Sequence, residues 1–126
     1  MEFRDKQAIY LQIAEYVCEQ ILLNKWLPGN RILSIRELAI FMEVTPNTIQ
    51  RAYDYLQQEE VIINKRGVGY FVPEDSPEKV LKFRRNIFIQ NDLPVMFRNM
   101  YLLNVSSEDV TKRFEKFITE NFKEKK

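Results

Sequence analysis

Two helix-start signals, at Ser34 and at Thr45, lie so close together that the chain between them has room only for one short helix and a tight turn. In the first, serine is followed by Glu37 at the spacing of a capping box, in which the serine oxygen accepts the N3 amide and the glutamate reaches back to the cap amide. In the second, threonine stands at the cap and Pro46 at the first helical position, where an N–H would find no intrahelical acceptor anyway. The pattern predicts a helix from Ser34 through Met42, a joint at Glu43, Val44 and Thr45, and a further helix from Pro46 to about Glu59. Ile49, Ala52, Tyr53 and Leu56 recur at helical spacing and form its inward face, which leaves Asn47, Gln50 and Arg51 on the opposite one.

The flanks extend this frame. Between residues 6 and 24, Ile9, Ile13, Val17 and Ile21 keep one face of a helix inward, and Pro28 with Gly29 opens a loop running to about Leu33. After the tandem helices, residues 61–63 and 70–72 are β-rich runs around residues 64–69, where Gly67 and Gly69 can supply the positive φ of a hairpin. Helix, capped helix, tight turn, capped helix and glycine-bearing hairpin is the order of a winged helix-turn-helix. Residues 73–77 contain two prolines and break regular structure. Beyond them Val80, Leu81, Phe83, Ile87 and Phe88 suit one helix, and Leu93, Met96, Phe97, Met100 and Leu103 suit another or its continuation, with Pro94 leaving kink and break both open. Asn104 suits a left-handed helix end, and Ser106 to Asp109 cap a last helix whose inward residues are Val110, Phe114, Phe117, Ile118 and Phe122. Residues 123–126 read as a frayed tail. The fold class expected is mainly α with a small β-hairpin: a winged helix-turn-helix over residues 1–75 followed by a short all-α segment over residues 76–126.

Composition removes most catalytic chemistry. The chain has 126 residues, no histidine and one cysteine, so His-based triads, HExxH zinc sites and Cys/His fingers are impossible, as is an internal disulfide. Cys18 falls in a helical pattern and reads as a buried structural thiol. The carboxylate pairs Glu59-Glu60 and Glu108-Asp109 lie at a helix end and a helix start, where they read as solvated or capping charges. No apolar run is long enough to span a bilayer, and the acidic, aromatic start lacks the layout of a signal peptide. A cytoplasmic, non-enzymatic protein without cofactor, metal or membrane partner is expected. Charge is uneven: residues 1–76 hold 8 Lys/Arg against 11 Asp/Glu, a net of −3, and residues 77–126 hold 11 against 7, a net of +4. An acidic DNA-binding half is tolerable only if its cations gather on one face.

The helix beginning at Pro46 would enter the major groove. Asn47 and Gln50 carry amides suited to adenine, and Arg51 a guanidinium suited to guanine. The unpaired amides of its first turn, with the hydroxyls of Thr45 and Thr48, suit phosphate. Arg36 opens the helix that crosses the DNA backbone, and Lys65 and Arg66 form a basic hairpin tip beside Gly67. Two plainer readings stand beside this one: an ordinary solvated helix face, and a winged helix that binds protein rather than an operator.

Over residues 8–73 the sequence resembles the GntR family of bacterial regulators. Ile9-Tyr10 with Gln12-Ile13 is similar to the family's first-helix signature. Pro28-Gly29 with Leu33-Ser34-Ile35-Arg36-Glu37-Leu38-Ala39 is similar to its second, and Val44, Thr48-Ile49 and residues 67–72 continue the likeness. Residues 46–53, the short C-terminal unit and residues 102–106 resemble the YtrA-like branch. Leu33 stands where the family usually has proline, Glu60 where glycine usually ends the recognition helix, and Pro46 where many other members have arginine. The resemblance implies double-stranded DNA as partner, with contacts from Arg36, Thr45, Asn47, Thr48, Gln50, Arg51 and Gly67. It also implies a homodimer and control of neighbouring ABC-transporter genes, usually as a repressor at a palindromic operator. For the C-terminal segment, about 50 residues are too few to enclose a drug-sized cavity and also bury themselves, which favours a dimer interface through Phe83, Ile87, Phe88, Leu93, Met96, Phe97 and Met100. No small-molecule effector is nameable.

Overall fold

The structure, a computed structural model, describes Phe3 and residues 7–122. In chain order it runs α1 (Ile9–Leu22), α2 (Ile35–Met42), α3 (Pro46–Gln58), β1 (Ile63–Lys65), β2 (Gly69–Phe71), α4 (Ser76–Ile87), a π-helical turn (Phe88–Asp92), α5 (Leu93–Leu102) and α6 (Ser107–Phe122). Helices with one antiparallel hairpin after the third helix are thus observed as expected. The anticipated helix start near Lys6 and the tail at residues 123–126 lie outside the described residues.

The chain forms two compact units, Met1–Arg84 and Arg85–Lys126. The division falls later than the break anticipated after residue 75, because the first turns of α4 pack with what precedes them. Val80 joins the core of the first unit, and the buried Ser76 hydroxyl donates 2.6 Å to the Val61 carbonyl.

In the first unit, Ile13, Val17 and Ile21 of α1 are buried, but Ile9 is 44% exposed. A four-residue spacing drifts around a helix of 3.6 residues per turn, so the first of four such residues leaves the stripe. The capping box of α2 forms in full: the Glu37 amide donates 3.0 Å to Ser34 Oγ, and the Ser34 amide donates 2.8 Å to Glu37 Oε1. The Ser34 amide first, and then the Ser34 hydroxyl, stabilise the ionised Glu37 carboxylate and hold it below the usual carboxylate range. Glu43 ends α2 in the left-handed region at φ 57°, which turns the chain sharply into α3. Thr45 occupies the cap position of α3, yet its hydroxyl meets Thr48 Oγ1 at 2.9 Å rather than an amide. The expected inward residues Ile49, Ala52, Tyr53 and Leu56 are all buried.

The hairpin departs from expectation in where its strands begin and end, at Ile63–Lys65 and Gly69–Phe71. Glu60, at φ 62°, ends α3 in the left-handed region, and the Val61 amide closes back 2.8 Å onto the Leu56 carbonyl. Val61 and Ile62 are thereby drawn into the core, and strand pairing begins only at Ile63, with Ile63 opposite Phe71, Asn64 opposite Tyr70 and Lys65 opposite Gly69. A third short stretch, within the expected loop between Pro28 and Leu33, joins the far side of β2. The Ile32 amide donates 2.9 Å to Tyr70, the Val72 amide 3.1 Å to Asn30, and the Gly29 amide 2.7 Å to Val72. Burial without an ionic partner large enough to compensate pushes the Cys18 thiol up to about 11, so it is a neutral packing group, as its position in the helical stripe suggested.

Tyr53 ties the recognition helix to its surroundings. Its ring meets that of Tyr70 edge-on at 4.8 Å, and its hydroxyl donates 2.6 Å to the Leu33 carbonyl. Tyr53→Phe leaves that carbonyl without its donor and is expected to destabilise the first unit by about 1–2 kcal/mol. Urea unfolding checks this; an unchanged midpoint would mean that water replaces the bond without loss.

In the second unit Pro94 produces neither a break nor an ordinary helix. The chain passes through the π-helical turn directly into α5, and the wider turn accommodates a ring that would meet the carbonyl four residues earlier. Asn104, at φ 57°, ends α5, and the Asp109 amide donates 3.1 Å to Ser106 Oγ at the start of α6, both as expected. Neither α5 nor α6 contains a buried residue.

Candidate nucleic-acid interface

Every residue singled out for DNA contact lies in the first unit, on three elements that are packed together. Arg36 is exposed in the first turn of α2. At the cap of α3 Thr45 is exposed, and on α3 itself Asn47, Gln50 and Arg51 are exposed and Thr48 is half-buried. Lys65, Arg66 and Gly67 are exposed at the hairpin tip. Packing of α2 on α3, and of Tyr70 on Tyr53, fixes these three elements relative to one another.

Local contacts refine the picture. Gln50 Nε2 donates 2.9 Å to Asp54 Oδ1, which fixes the amide orientation because a carboxylate only accepts. The Arg51 guanidinium lies 4.1 Å from the centre of the Tyr10 ring. Lys65 Nζ lies 4.3 Å from the centre of the Phe71 ring on β2, so this wing cation is partly held against the neighbouring strand of its own hairpin. Gly67 has φ 78° and nothing within 4 Å of where a Cβ would stand; it is needed for its backbone conformation, and the tip is open to a large partner. Part of the negative charge is spent away from the helix-turn-helix: Lys79 pairs with Glu60 at 2.8 Å and with Asp75 at 3.2 Å.

Sequence reading missed two features. Arg31 lies in the third stretch of the small sheet, bridged to Phe71, and its Nε would stand 2.9 Å from a Cβ at Gly69. It therefore lies across the wing, an exposed cation close to the strand opposite Lys65. No local signal marks it, because its partner strand is far along the chain. The Tyr10–Arg51 stack is the second, and it too joins distant positions.

Among the described residues, no group of acidic and cysteine side chains suits a metal ion, and no helix is long and apolar enough to cross a membrane.

The model of bacterial regulatory proteins of the gntR family matches residues 9–72, half of the chain and all of this interface. The chain belongs to the GntR family. As such it is a DNA-binding transcriptional regulator. Over 73 residues, 58% of this chain, it is 38% identical to the uncharacterised HTH-type regulator YhcF and 36% identical to the HTH-type transcriptional repressor YtrA, both of Bacillus subtilis. The match spans 60% of YhcF and 56% of YtrA, less than two thirds of either relative. A GntR-family regulator structure from Bacteroides thetaiotaomicron is similar over 90% of this chain and 98% of its own, at 39% identity and a TM-score of 0.69. These likenesses put the chain in the YtrA-like branch of the GntR family.

Proposed function

We propose that the chain is a homodimeric, cytoplasmic repressor that binds a roughly palindromic operator, with α3 reading base edges in the major groove while α2 and the wing hold phosphate. The observation that carries this reading is the outer face of α3, where Asn47, Gln50 and Arg51 are exposed above a fully sealed inner face. Thr45 and Thr48 at its start, Arg36 on α2, and Lys65 and Arg66 beside Gly67 supply the positioning contacts. Arg31 joins them from the third stretch of the sheet. The likeness to the YtrA-like branch supports neighbouring ABC-transporter genes as the target, and no effector is assigned.

The second unit supports the dimer. Ile87, Phe88, Met96 and Phe97 are 37% to 54% exposed, and Leu93 and Met100 are only half-buried. Phe83 is also half-buried but belongs to the first unit. Two helices with no buried residue cannot be stable alone, and a second copy supplies the missing surface.

Readers and positioners should lose affinity differently. Arg51→Ala is expected to cost about 1–3 kcal/mol on the operator and to relax preference at one base pair, whereas Lys65→Ala weakens all sequences alike. Competition against operator variants measures both. Unchanged preference at every position in Arg51→Ala would remove Arg51 as a reader.

A further inference from the structure

Arg51 has an unusual setting for an exposed arginine on a recognition helix. Asp54 stands three residues on, within reach of an ordinary ion pair along the helix. That carboxylate instead accepts from Gln50 at 2.9 Å, and the guanidinium stacks at 4.1 Å on Tyr10 of α1. Tyr10 is itself held edge-on at 6.3 Å by Tyr55, which follows Arg51 by one helical turn. Stacking occupies the flat face of a guanidinium and leaves its N–H edges unused. Among the described residues Arg51 makes no hydrogen bond or ion pair.

We infer that Tyr10 is a positioning residue for DNA binding: its ring holds the Arg51 guanidinium in one place on the flank of α3, with the donor edges free for nucleic acid. This rests on the reading of Arg51 as a DNA contact. An unrestrained arginine loses side-chain freedom when it binds, whereas one already stacked has lost it in the free protein. The pairing of Asp54 with Gln50 serves the same end, because it withdraws the carboxylate that would otherwise compete for Arg51. Tyr10 acts only through Arg51 and touches no base.

The test is a double-mutant cycle on the full chain, with a labelled duplex selected by that chain from a random-sequence pool. Tyr10→Leu, or Tyr10→Met if the leucine variant does not fold, removes the aromatic face but retains apolar packing against Tyr55. It is expected to weaken binding about two- to tenfold per half-site. In the Arg51→Ala background the same substitution should change nothing, and Tyr10→Phe, which retains a ring, should bind nearly as the unmodified chain does. Equal losses in both backgrounds would mean that Tyr10 acts through the fold and would overturn the inference. So would unaltered affinity in Tyr10→Leu. If Arg51→Ala alone binds as tightly as the unmodified chain, the Arg51 contact itself fails, an outcome distinct from additive losses.

Discussion

Phe97→Glu is expected to leave the protein monomeric at micromolar concentration and to weaken binding to a two-half-site operator by about 10²- to 10⁴-fold, the gain that linking two binding modules confers. Phe97 is 54% exposed on α5, a helix without a single buried residue, and α6 presents Phe114 at 62% and Phe117 at 55%. Burying side chains of this size in a partner contributes about 1.5–3 kcal/mol each, and a carboxylate placed among them adds a desolvation cost. Phe41→Glu is the control: Phe41 is 61% exposed but lies on α2 in the first unit, so the dimer should persist. Sedimentation velocity reads both. A dimer that survives Phe97→Glu, or an unmodified chain that sediments as a monomer, would contradict the assignment of the second unit to self-association.

How much was legible in the sequence depended on how local the cause was. The capping box at Ser34, the Pro46 start of α3 and its buried stripe follow from interactions within a turn or two, and each is found where expected. The strands were displaced because Val61 and Ile62 have the composition of a strand, whereas the left-handed ending at Glu60 sends them into the core before pairing begins. Family resemblance marks Glu60 only as a departure from the usual glycine, yet the glutamate adopts the left-handed ending all the same. The third stretch of the sheet and the Tyr10–Arg51 stack join positions distant in sequence and leave no periodic trace. The unit boundary moved from residue 75 to Arg84 for a related reason, since Val80 looks alike whichever core it enters. Residue types for the interface were readable; their mutual restraint was not.

Arg31, Arg36, Lys65 and Arg66 are exposed on the third stretch of the sheet, on α2 and on the hairpin. If all four meet phosphate in each protomer, a dimer neutralises about eight phosphates, and affinity should fall with a logarithmic salt slope of about −7, or roughly 10⁴-fold between 50 and 200 mM. The net of −3 over residues 1–76 works against this only to the extent that acidic groups approach the duplex, and two of them, Glu60 and Asp75, are already paired with Lys79. Arg31→Ala should flatten the slope by about one per protomer without altering sequence preference. The direct measurement is equilibrium binding of the full chain to its selected duplex across a salt series. A steep loss of affinity of about this size is the result predicted; binding that is indifferent to salt, or equally weak throughout, would contradict operator recognition through α3 and the wing.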